Sequence, residues 1–329
     1  MTGGLAAGLL HSPQALQASI SLQDNILKPT LTGLLQGCVY GLIGLGVVLL
    51  YKANGIFNFA QGEFGTVAAL TANAGLMGKF GFHMPYPLAM LVGIFAGTLT
   101  ALLTERLVIR PLFDRPKVIL TVSTVGVLLV LIALETLAVR RGYDFPGFST
   151  RIAALNKHGY LIKLFGYRIQ YEQALSALVL VLLALATVAF FKKTDTGTAI
   201  LAVSQEPVAA STVGISVSRI SFVTWGIAGF IGSIAGVLLA PILSPVGPGF
   251  VTATALFTGF TAAVLGGITS LQGVFVGGLI IGVLEKFTNP DNLAAFGVPN
   301  IPGIDQVAVG VALLLVLLIR PVGLFGKET

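Results

Sequence analysis

The sequence predicts an all-α membrane protein, a polytopic bundle of about 8–9 transmembrane helices with broken or re-entrant Gly-rich segments. Three observations carry that expectation. Only 10% of the 329 residues are charged, against about a quarter in soluble domains, so the chain lacks the charge to cover a water-facing surface. Mean hydropathy is +0.93. The stretch from Ile220 to Leu284 contains 65 residues and no charged side chain, room for three crossings at about 20 residues each. The 41 glycines agree, because small residues let transmembrane helices approach closely.

The elements follow in order. Residues 1–30 lack the basic start of a signal peptide, and LAAGLL is too short to span. They are expected as a tail or an interfacial helix with Leu16, Ile20, Ile26 and Leu27 on one face. The rest, 31–329, is one transmembrane domain with spans expected at 31–51, 62–78, 87–109, 118–139, 173–191, 220–240, 251–267, 270–286 and 304–319. Segment 140–172 mixes aromatic, glycine and β-branched residues and reads as a small hairpin. Segment 192–219 reads as two short solvent-side helices, the first capped by Asp195 or Thr196, the second begun at Pro207 and ended at Gly214. Basic residues divide almost evenly between the two faces, so the positive-inside preference is weak.

Polar residues concentrate at two Gly-rich interruptions, ANGIFNFAQGEFG at 53–65 and LGGITSLQG at 265–273. Broken helices persist at membrane depth only where protein or a water-filled cavity covers the freed backbone groups. A break in each half points to a repeat and to a path between the halves. Asn54, Asn58, Gln61 and Glu63 from the first break, with Thr269, Ser270 and Gln272 from the second, are therefore candidates to line a translocation path. For Glu63 the alternative is a residue in the first helical turn, favoured by the helix dipole. Glu105 beside Arg106, Glu135 near Arg140 and Glu285 beside Lys286 are expected at span ends, as interfacial pairs.

Several function classes drop out. The scattered basic residues form no stripe for nucleic acid. His11, His83 and His158 have no metal-ligand spacing, there is no GxxxxGK[ST] phosphate loop, and GLIGLG at 41–46 lies in a helical run without a preceding strand, as helix packing requires. Cys38 is alone, so no disulfide forms within the chain. No cofactor is expected and no catalytic residue is assigned.

Five motifs carry a resemblance. NGIFNFAQGEFG at 54–65 resembles the "NFAHGE" segment of permeases from branched-chain amino acid ABC importers. ERLVIRPL at 105–112, AVSQEPVAASTVGI at 202–215, FTAAVLGGITSLQGVFVGGLIIGVLE at 260–285 and RPVGLFG at 320–326 are similar to later segments of that family, in the same order. The layout is closer to the shorter of its two paired permeases. Departures are Gln61 where His is common, Thr269 where Gly is common, and Thr198 and Leu201 where Arg is frequent.

The resemblance implies a multi-pass subunit of the bacterial cytoplasmic (inner) membrane, without enzymatic activity of its own. It implies two cytoplasmic ATP-binding subunits, a second permease of the same family and an extracytoplasmic substrate-binding protein, with membrane lipid around the bundle and no nucleic acid. It also places 140–172 outside and makes 192–219 a cytoplasmic coupling segment. Ala202, Val203, Ser204, Gln205, Glu206, Pro207, Val208, Ala209 and Gly214 are the expected ATPase contact, with Val203, Val208 and Ala209 as apolar anchors. Branched-chain or other hydrophobic amino acids are the expected cargo. Urea, amides or carboxylates are alternatives within the family. A stand-alone channel or secondary transporter is the rival class, whose signature is ionisable residues buried mid-span.

Overall fold

The computed structural model describes residues 26–79, 81–140, 161–164, 167–169, 171–241, 246–294 and 297–326. Leu16 and Ile20 of the expected amino-terminal helix lie outside them, as does most of 140–161.

The first helix, α1 (Lys28–Asn54), carries Pro29 in its first turn and ends at Gly55, whose φ of +67° lets its N–H close back on the Tyr51 carbonyl at 2.8 Å. It is apolar around its circumference and buried along most of its length, which is the pattern of a helix enclosed by others. Around and beyond it stand α2 (Gln61–Leu76), α3 (Tyr86–Thr104), α4 (Lys117–Arg140), α5 (Tyr171–Lys193), α6 (Asp195–Gln205), α7 (Pro207–Thr212), α8 (Val217–Leu239), α9 (Phe257–Gly266), α10 (Leu271–Thr288), α11 (Pro290–Ala294) and α12 (Ile304–Ile319). A π-helical turn, Glu105–Ile109, extends α3, and another, Thr252–Leu256, leads into α9. The expected hairpin is an antiparallel pair, β1 (Ile162–Leu164) with β2 (Tyr167–Ile169), in register Ile162↔Ile169.

Each expected span coincides with a helix. Among the described residues six are long and apolar enough to cross a membrane by themselves: Lys28–Asn54, Tyr86–Leu112, Lys117–Val139, Gln173–Lys193, Val217–Leu239 and Leu271–Thr288. Gln61–Leu76, Thr252–Gly266 and Ile304–Ile319 are shorter. The first two border the interruptions predicted from sequence, so part of their crossing is made by non-helical chain.

Glycine decides which helices touch. Cβ atoms added at Gly33 and Gly37 of α1 would fall 2.6 Å from Val283 Cα and 2.5 Å from Gly278 O of α10. The backbones of α1 and α10 are in direct contact, as small-residue seams allow. Gly65 of α2 meets Gly232 and Gly236 of α8 in the same way. By contrast α3, α4, α5 and α12 present Leu91, Phe95, Leu129, Leu185 and Leu318 outward. An apolar surface of that extent belongs against lipid or an apolar face of another protein.

The helices α1 and α10 run antiparallel, Gly33 lying against Gly282 and Gly37 against Gly278. One end of the bundle gathers Lys52, whose Nζ donates to Thr269 O at 2.8 Å. The same end holds Arg110, whose Nη2 donates to Ser218 O at 3.3 Å, and Leu324, whose N–H donates to Leu265 O at 2.8 Å.

Candidate functional site

The first break climbs inward from that end. Asn58 Oδ1 accepts the Ala60 N–H at 3.0 Å, a turn that this residue type forms by itself. Asn58 Nδ2 donates to Gln61 Oε1 at 3.3 Å, and Gln61 Nε2 donates to Ala228 O at 2.8 Å. Ala228 is the middle residue of α8, so α2 starts halfway along its neighbour. Asn58 and Gln61 are buried; their amides hold the break together and tie it to α8. Asn54 Nδ2 donates to Ser221 Oγ at 2.9 Å nearer the end.

The second break is set differently. Ser270 Oγ caps α10 by accepting the Gly273 N–H at 3.0 Å, while the side chains of Thr269 and Gln272 are exposed at the Lys52 end. Among the described residues no side-chain hydrogen bond joins the two groups of path candidates. A 630 Å³ groove on the flank between α3 and α4 contains none of them.

Glu63 lies deeper than the break, in the first turn of α2, and is completely buried. It faces Thr252, Glu135 and Thr66, yet no neighbour meets hydrogen-bond geometry at either of its oxygens. Glu135 is not interfacial, as its place near Arg140 led us to expect. It is buried, and its Oε2 accepts the Gly249 N–H at 2.9 Å. Thr66 Oγ1 accepts the Val251 N–H at 3.1 Å. Two carboxylates thus converge on the segment that opens the π turn before α9. Sequence reasoning missed Glu135, Thr66, Thr252 and Gly249 as a group. The available signal was Thr124 and Glu135 three turns apart on one stripe of α4, with Leu120.

The other two acids are corrected as well. Glu105 pairs with Arg110, not Arg106, at 3.1 Å, because the π turn carries residue 110 back over 105. Glu285 Oε1 accepts from Tyr40 Oη at 2.8 Å and from Gln36 Nε2 at 3.3 Å, inside the α1–α10 seam and not beside Lys286 at a surface.

The 192–219 segment forms two short helices. The cap of α6 is Thr194 instead of Asp195 or Thr196, its hydroxyl accepting the Gly197 N–H at 3.0 Å. Gly197, Ile200 and Val203 bury one face of α6 against the bundle. Val203 thus ties the segment to the spans and is no free anchor. Ala202 and Ser204 are half-buried; Gln205, Glu206, Pro207, Val208 and Ala209 are exposed, Val208 at 71%. Glu206 is extended (φ −148°, ψ 93°) between the two helices, and Gly214 (φ +88°) closes α7. A 160 Å³ cavity bordered by Asn54, Arg115, Lys117, Val203, Pro207 and Ser221 lies behind them.

Comparison with known proteins places this arrangement. The chain is similar to the high-affinity branched-chain amino acid transport system permease protein BraD of Pseudomonas aeruginosa, at 30% identity over 316 residues, covering 92% of this chain and 96% of that one. Similarity to LivH of Escherichia coli K12, a permease protein of the same description, is 29% over 309 residues with the same coverage. A probable branched-chain amino acid transport permease protein LivH of Methanocaldococcus jannaschii is 27% identical over 297 residues, covering 87% and 88%. Residues 30–320 match the family described as branched-chain amino acid transport system / permease component. This chain, a multi-pass membrane permease, belongs to that family.

Proposed function

We propose that the chain is the permease subunit of an ATP-driven importer that carries branched-chain or related hydrophobic amino acids across the cytoplasmic membrane. It pairs with a second permease of its family, docks two cytoplasmic ATP-binding subunits and takes solute from an extracytoplasmic binding protein. The relatives named above support the cargo and the class of machine. The observation that carries the mechanical part is α6–α7, an exposed apolar ridge at Val208 rooted in the bundle through Ile200 and Val203.

A short helix of this kind fills a groove on a partner. Force applied at Val208 passes along α7, across the extended Glu206, and into α6. From there it reaches α1, α5 and α8, on which α6 packs. The α1–α10 seam moves as one body because backbone touches backbone. Motion of packed rigid units around a closed path is the general route to alternating access. In this reading Lys52, Thr269 and 195–215 are cytoplasmic. Asn58 and Gln61 hold the break, while Glu63 faces the outer half of the path.

The test is uptake by proteoliposomes containing the chain, its partner permease and the ATPases, supplied with binding protein and labelled leucine. Accumulation should require ATP and vanish with Val208→Asp. In intact cells, Val208→Cys should resist an impermeant thiol reagent because α7 faces the cytoplasm, and the buried native Cys38 adds no background. Labelling from outside, or uptake indifferent to ATP, would refute the proposal.

A further inference from the structure

Four buried side-chain oxygens without a hydrogen-bond partner belong to residues that face one another beyond the first break: Glu63 Oε1 and Oε2, Glu135 Oε1 and Thr252 Oγ1. Both carboxylates are more than nine-tenths buried. Neither receives a hydrogen bond from a Lys, Arg or His among the described residues. At membrane depth an uncompensated carboxylate costs several kcal/mol, so two that face each other either share one proton or hold a positive charge between them.

The surroundings leave room for it. A methyl carbon placed on Gly249 would meet Ile132 Cδ1 at 3.4 Å and Glu63 Oε1 at 3.9 Å, ordinary contacts, so an atom of that size fits beside Glu63. At Gly247, two residues earlier, an added carbon would meet nothing within 4 Å. An ammonium group offers three N–H donors, matched to four free acceptors. The helix-dipole alternative does not account for the cluster. A helix N-terminus favours one acid, and Glu135 already takes the Gly249 N–H through its other oxygen.

We propose that Glu63, Glu135 and Thr252 form a binding site for a small cationic group, which the ammonium of the transported amino acid supplies. This rests on the importer reading for the identity of the group, not for the existence of the site. An alkali ion has the same chemistry as a source, and the experiment separates the two.

The full chain in lipid nanodiscs is heated with a thiol-reactive dye that reports exposure of Cys38. Ligands are leucine, 3-methylbutylamine (leucine without its carboxylate), 4-methylpentanoate (leucine without its amine), and sodium chloride against choline chloride. Leucine and the amine should raise the melting temperature and 4-methylpentanoate should not. The rise should vanish in Glu63→Gln and Glu135→Gln, which preserve shape, and survive in Glu63→Asp with about tenfold weaker apparent affinity. A rise with sodium over choline, absent with amines, would keep the cation site but take it from the solute. No rise with any cation, or one that persists in both Gln variants, would overturn the site. A response to the amine but not to leucine would leave the site standing and count against the importer's cargo.

Discussion

The α1–α10 seam makes a quantitative prediction. In Gly278→Ala the new methyl would fall 2.6 Å from Gly41 N and 2.7 Å from both Gly37 O and Gly41 Cα. All three are backbone atoms of α1 and none can swing aside. Ordinary contact begins at 3.4 Å, so the helices must part by about 0.8 Å, and a gap of that size forfeits a quarter to a half of each dispersion contact along the seam. Overpacking of this kind costs about 1–3 kcal/mol. At roughly 2–4 °C per kcal/mol for a chain of this size, the melting temperature should drop by about 4–8 °C for a cost near 2 kcal/mol. The lone Cys38 lies in α1 and is buried, so its reaction with a thiol-reactive dye during heating reads the opening directly. Gly126→Ala is the matched control: it sits in α4 with nothing within 4 Å of the added carbon, and should not lower the transition. Equal behaviour of the two variants, or an unshifted Gly278→Ala, would refute backbone contact as the bond between α1 and α10.

Other predictions concern single polar contacts and one exposed side chain. Tyr40→Phe removes the donor to Glu285 Oε1 and should destabilise by about 1–3 kcal/mol, seen as a lower melting temperature in the same dye assay. Gln61→Leu leaves the Ala228 carbonyl and Asn58 Nδ2 without their partner; a loss of about 1–3 kcal/mol should accompany slower uptake, and an unchanged melt would mean the break is held elsewhere. Val208→Asp, at a position 71% exposed, should stay within ±0.5 kcal/mol of the parent stability while abolishing ATP-dependent leucine accumulation.

The number and order of helices were legible because hydropathy and span length are local properties. Ile304–Ile319 was bounded to the residue, and the helix starting at Pro207 began where its proline required. The two breaks were visible too, since glycine and amide residues inside an apolar run have few other uses at membrane depth. What each break does was not legible. Asn58 and Gln61 find their partners in each other and in Ala228, the latter 167 positions away, and no spacing rule connects such a pair.

The acids mark the boundary most clearly. Near neighbours in sequence suggested that Glu135 belonged with Arg140 and Glu285 with Lys286. In the folded chain Glu135 meets Gly249 across 114 positions and Glu285 meets Tyr40 across 245. By itself the sequence determined that the chain is a helical membrane bundle with two interruptions and a short polar segment joining α5 to α8. Composition and periodicity record how each segment partitions between lipid and water. Only the tertiary structure decided which buried carboxylates share a site, because that depends on which helices their glycines allow to touch.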